Sequence, residues 1–140
     1  MVNVRVAIAA ILVAVVSLSA SAQIAAPPGA EAYFIEPADG ATVKSPVTVK
    51  FGLKGFGVAP ALVDWPNTGH FHLLIDREAI APGSLIPIEP TALKFAGGQT
   101  EAQVTLSPGT HTLILEIGDH QGIVHLPAIV SKKITVTVVP

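Results

Sequence analysis

The sequence contains no cysteine. Disulfides, thiolate metal ligands and cysteine nucleophiles are therefore excluded, and stability has to come from an apolar core or a bound ion. Charge is sparse too, with Asp, Glu, Lys and Arg making up 13% of the residues. These charges are scattered, and no basic run is present to attract the phosphates of a nucleic acid. Helical periodicity is missing over any useful length. Beyond the N-terminal segment no apolar run approaches the roughly 20 residues that a membrane-spanning helix needs.

What is present begins with an export signature. A single positive charge at Arg5 precedes an uncharged apolar stretch from Val6 to Val16, and small residues follow, ending Ala20-Ser21-Ala22. At about 11 residues the apolar stretch is too short to anchor the chain in a bilayer. Its order matches a secretory signal, with cleavage expected between Ala22 and Gln23. Residues 1–22 are thus read as a signal peptide, and the remainder as periplasmic or secreted, with no membrane span after cleavage. The lack of cysteine favours a bacterial periplasm. Residues 23–30 are small, apolar and Pro-rich and read as a flexible leader. Residues 31–140 suffice for one domain and are too few for two. Loss of Arg5 leaves seven basic residues against ten acidic ones.

From Glu31 onward, short runs rich in Val, Ile, Leu, Thr and Phe alternate with Pro and Gly punctuation. Strands are predicted at Ala32 to Ile35, Val47 to Leu53, His70 to Ile75, Ala92 to Phe95, Glu101 to Leu106, His111 to Ile117 and Lys133 to Val138. Asp39-Gly40, Gly97-Gly98 and Pro108-Gly109 mark turns. About seven short strands in this length predict an all-β fold, an immunoglobulin-like β-sandwich, with a small closed barrel as the alternative. Period-two alternation turns Val47, Val49, Phe51 and Leu53 inward, and likewise Phe71, Leu73 and Ile75. His70 and His72 then share the opposite face.

The five histidines carry the chemistry. His70 and His72 on one strand face lie about 7 Å apart along the chain, within reach of one metal ion. Taken alone, such a pair reads more readily as two solvated residues on an outer face. Topology changes that weighing. In the sandwich, the strand from His70 is the antiparallel neighbour of the strand ending at Ile117, so the loop Gly118 to His125 hangs over His70. His70, His72 and His125, with His120 or Asp119 as a fourth donor, would then gather at one tip. That donor set suits copper(II) or zinc without any thiolate. His111 lies at the opposite end, after Ser107-Pro108-Gly109-Thr110, where a side chain bonding back to its own loop is expected to be structural.

Other chemistry finds little support. Asp64, Asp76, Glu78 and Glu116 show no acid-base pairing, and Ser45, Ser84, Ser107 and Ser131 lack a nucleophile-elbow setting. The reading that follows is a periplasmic binding module holding a divalent metal, copper or zinc. The alternative is a metal-free protein–protein interaction domain of the cell envelope, docking by an edge strand or by the loop Lys54 to Asn67 with Phe56 and Trp65. A metal with an open position would activate water, but neither a substrate pocket nor a general base supports an enzyme.

Four ordered motifs add a resemblance. Gly55-Phe56-Gly57-Val58-Ala59-Pro60-Ala61, Thr68-Gly69-His70-Phe71-His72-Leu73-Leu74-Ile75-Asp76, Gly98-Gln99-Thr100-Glu101 and Pro108-Gly109-Thr110-His111-Thr112-Leu113 resemble the DUF4399 family of exported bacterial domains of unknown function. The likeness runs from about Glu36 to Val138. That family tends toward three consecutive histidines before Leu-Leu-Ile-Asp and toward further histidines after the Gly-Asp. Here Phe71 replaces the middle histidine and Gly122 stands at an expected loop histidine, whereas His125 with Pro127 matches. The resemblance implies export and fold and leaves activity open.

Overall fold

The computed structural model describes residues 25–140; the signal segment expected at residues 1–22 lies outside them. Among the described residues there are nine strands and no helix: β1 (Glu31–Glu36), β2 (Thr42–Lys44), β3 (Val47–Lys54), β4 (Gly57–Val58), β5 (Thr68–Ile75), β6 (Ala92–Lys94), β7 (Glu101–Val104), β8 (Gly109–Gly118) and β9 (Ile134–Val139). The seven predicted runs all appear, with ends moved by a residue or two. The additional strands, β2 and β4, are three and two residues long. Their pairing is parallel, on β9 and β5, so tertiary contact defines them and no alternation announces them. No helix among the described residues is long and apolar enough to cross a membrane.

One sheet has the order β1-β3-β7, and the other runs β2-β9-β8-β5-β4 with β6 also on β5. The two sheets share one core. Ala32, Val47, Val49 and Phe51 come to it from the small sheet, and Phe71, Leu73, Leu113, Leu115, Ile117, Val136 and Val138 from the large one. Phe51 stands at its centre, 5.0 Å from the Phe71 ring and 4.7 Å from Phe95. Burying side chains of this kind stabilises by about 1.5–3 kcal/mol each.

The far face of the large sheet is covered as well. Segment 83–86 pairs with 122–124 through Gly83 N–H to Val124 O, Val124 N–H to Ser84 O and Ile86 N–H to Gly122 O, each 2.9 Å. This irregular cover closes a second apolar cluster of Leu74, Ile86, Ala92, Ile114 and Val124. β5 is consequently buried on both sides from Gly69 to Ile75, a pattern ordinarily met in the middle of a layered sheet. The reading of His70 and His72 as solvated residues of an open outer face is thereby corrected: the cover removes both from water. Residues 25–30, read above as a leader, also make contacts: Ala25 bridges Leu126, and Ala26 and Ala30 pack on the core.

Candidate functional site

β5 and β8 pair antiparallel in a register that sets His70 opposite Gly118 and His72 opposite Glu116. The end of β8 therefore releases its following loop directly beside His70. Close approach demands glycine here. A Cβ on Gly69 would stand 2.4 Å from the Gly118 carbonyl oxygen, and one on Gly118 would stand 2.9 Å from the Gly122 Cα and 3.1 Å from His72 Nε2. Gly122 itself has a φ of +85°, which an L side chain rarely adopts. That backbone requirement accounts for glycine at the position where a loop histidine was expected.

Two residues apart on one face of β5, His70 and His72 are 0% and 1% exposed. Their Nε2 atoms lie 3.0 Å apart, and both Nδ1 atoms lack a hydrogen-bond partner. Burial, assisted by the charge of Lys94 and opposed in part by Asp119, lowers the His70 pKa to about 4. Burial, then His70 and Lys94, lowers that of His72 to about 3. Both imidazoles are accordingly neutral near pH 7. With one proton between them, one Nε2–H donates to the other Nε2. Without it, the spacing suits two ligands of one ion, because metal–nitrogen bonds of about 2.0–2.1 Å put adjacent nitrogens about 3 Å apart.

The remaining predicted donors sit around a neighbouring cavity of about 370 Å³, lined by Asp119, His120 and His125 together with Phe56, Asp64 and Trp65. His125 is 1% exposed. Its Nδ1–H donates to the Ile117 carbonyl at 3.4 Å, and its ring meets Phe56 edge-on at 5.0 Å. Burial lowers its pKa, against the Ile117 bond and Asp119. His120 faces Asp64, with Nδ1 3.8 Å from Oδ1, and its carbonyl accepts the Leu62 N–H at 2.8 Å. Asp119 Oδ1 accepts the N–H groups of Gln121 at 2.8 Å and Ile123 at 2.9 Å, which shapes the loop. The structure thus brings His70 and His72 into contact and gathers the other three donors along one cavity. Among the described residues no three His, Asp or Glu side chains form a group arranged to hold an ion.

At the other end of the same two strands, His111 Nε2–H donates to the Ser107 carbonyl at 2.8 Å, the bond back to its own loop that its position implied. Its Nδ1–H donates to Asp76 Oδ2 at 2.7 Å, while Asp76 Oδ1 accepts the Thr112 N–H at 2.9 Å. The Asp76 bond raises the His111 pKa, with the Ser107 carbonyl adding to it. For Asp76, desolvation acts the other way but is outweighed by the bonds from His111 and Thr112, so its pKa is lowered.

Glu116 was missed. It is 0% exposed; Oε2 accepts the Ile80 N–H at 2.9 Å, and Oε1 has no partner. Burial pushes its pKa up to about 7, against the Ile80 bond and the charge of Arg77. A lone acid in the run Leu113-Ile114-Leu115-Glu116-Ile117 was the available signal.

The fold and site together define an all-β domain with two sheets and a buried histidine pair at one end of its central strands. A domain of unknown function, DUF4399, matches residues 49–139, and the chain belongs to that family. No curated protein and no solved structure matches the chain.

Proposed function

We propose that the chain is an exported periplasmic binding module, an immunoglobulin-like sandwich in architecture, whose His70–His72 pair takes one divalent copper or zinc ion. The observation that carries this reading is the pair itself, two buried neutral imidazoles with Nε2 atoms 3.0 Å apart and unpartnered Nδ1 atoms. With each ring's proton on Nδ1, two Nε2 lone pairs face one another at 3.0 Å, and a bound ion gives both a common partner. His125 supplies a third nitrogen from the loop after β8, and His120 or Asp119 a fourth donor, as the loop closes on the ion. Because both imidazoles of the pair are already unprotonated, little proton release accompanies uptake at neutral pH.

Titration calorimetry with zinc and with copper(II) tests this. Wild type should take up one ion. His70→Ala and His72→Ala should each weaken uptake by more than the roughly 10- to 100-fold that loss of an outer-shell partner costs, whereas His111→Ala should leave it unchanged. Failure of wild type to bind at micromolar metal favours the second reading, a metal-free docking domain of the cell envelope. That reading draws on the loop before β5, where Leu62 and Trp65 are 81% and 69% exposed, because large apolar side chains grouped on a surface mark interaction sites.

A further inference from the structure

We propose that Glu116 is a positioning residue of the histidine pair: its Oε1 is the acceptor for the His72 Nδ1–H, which turns the His72 Nε2 lone pair toward His70. Two observations meet here. His72 and Glu116 are directly opposed on β5 and β8, and they are 1% and 0% exposed. His72 Nδ1 and Glu116 Oε1 are both buried with no hydrogen-bond partner among the described residues. Buried polar atoms ordinarily find partners, and here a donor and an acceptor lie on facing residues.

The sheet allows the two to meet. Directly opposed residues of an antiparallel pair carry Cβ atoms about 4.5–5.5 Å apart on one face, a gap that a glutamate side chain spans. Oε2 accepts the Ile80 N–H at 2.9 Å, so the carboxylate has its other oxygen for a second donor.

The remaining side chains around His72 supply no buried acceptor. Its register partner on β6 is Lys94, which carries three donors and no acceptor. Leu85, Ile86, Pro87 and Ile88, which line a small cavity with His72 and Lys94, are apolar. Gln121 lines it too but is exposed, whereas His72 Nδ1 is not. On the cover, the Gly122 carbonyl already accepts the Ile86 N–H. An order of protons follows: His72 Nδ1–H donates to Glu116, and His70 Nε2–H donates to His72 Nε2 across 3.0 Å.

That order is read from the ring-nitrogen NMR shifts of His72 in the full chain, with chelator present. The measurement is made at about pH 8.5, where a carboxyl raised to about 7 is ionised. In wild type the His72 proton should favour Nδ1 over Nε2 by at least about tenfold, the worth of a hydrogen bond to a charged group. Glu116→Gln keeps an oxygen for the Ile80 N–H and turns its NH2 toward His72, so the proton should move to Nε2. A wild-type proton on Nε2 would overturn the proposal whether or not the variant folds, and so would the same tautomer in both proteins. The consequence for an ion rests on the proposed metal reading: in calorimetry, Glu116→Gln should take up zinc about 10- to 100-fold more weakly than wild type. Equal uptake would overturn the positioning role. Absence of uptake by wild type would sink the metal reading and leave the order of protons standing.

Discussion

The β5–β8 ladder carries histidines at both ends, and the two ends treat them in opposite ways. At one end, both His111 nitrogens face oxygen acceptors, on Ser107 and Asp76, and the ring's pKa is raised. At the other, His70 and His72 find only each other, and burial lowers both values. Residue type is the same in the two places, and both lie on antiparallel strands of one sheet. What differs is the number of oxygens within reach, so the partners decide whether an imidazole's pKa is raised by the bonds it makes or lowered by burial.

The largest expected effect removes the packing that both ends share. Phe71 lies between His70 and His72 in sequence but on the core side, fully buried against Phe51. Phe71→Ala should lower stability by about 3–5 kcal/mol in urea or guanidinium unfolding. A cost below about 1 kcal/mol would mean that the inner face of β5 is not the main core.

Acidification comes next and separates the ends by sign. Groups with lowered histidine values bind fewer protons folded than unfolded, so the His70–His72 contribution is complete above about 6.5 and is lost as pH falls toward about 4 and 3. For His70 alone the shift is worth on the order of 3 kcal/mol. Glu116 opposes it: a carboxyl raised to about 7 stabilises fully below 4.5 and loses that contribution as pH rises through 7. Glu116→Gln should therefore steepen the loss of stability between pH 6.5 and 4.5, read from unfolding midpoints across that range. An unchanged slope would show that Glu116 does not hold its proton in the folded state.

Much of this arrangement was legible in the sequence, for identifiable reasons. Alternation turned Phe71, Leu73 and Ile75 inward because strand side chains have a period of two, and the antiparallel pairing that hangs the loop over His70 followed from fold class. The cover over the outer face was not legible. Segments 83–86 and 122–124 have no periodicity, and only their mutual hydrogen bonds show that they form a layer. Asp76 escaped notice as the partner of His111 because 35 positions separate them, and its φ of +55° is a tertiary outcome. The pairing of His120 with Asp64 likewise joins two loops that no local pattern connects.

A smaller effect is expected at the satisfied end. Asp76→Asn keeps a side chain that tolerates positive φ and an oxygen for the Thr112 N–H, but it removes the charge facing His111. With the Asp76 side chain 46% exposed, solvent screening holds the cost to about 1 kcal/mol. The His111 pKa, followed by NMR titration, should fall. If it stays raised, the Ser107 carbonyl is the dominant partner.

The smallest effect should come from the unsatisfied end, where intuition would place the largest because the side chains are fully buried. In the metal-free protein His70 and His72 keep one mutual hydrogen bond and leave two Nδ1 atoms unpartnered. Removing one ring would strand the other, so the informative change is the double replacement His70→Leu with His72→Leu. Exchanging both partners of a buried polar contact for apolar groups of similar size is close to neutral. Leucine would also extend the apolar cluster of Leu74, Ile86 and Ile114 beneath the same cover. The expected change is less than about 1 kcal/mol in either direction, together with complete loss of zinc and copper uptake and a flatter acid limb. A double variant destabilised by as much as Phe71→Ala would show that the pair is a structural element of the fold, and the contrast between the two ends would lose its functional meaning.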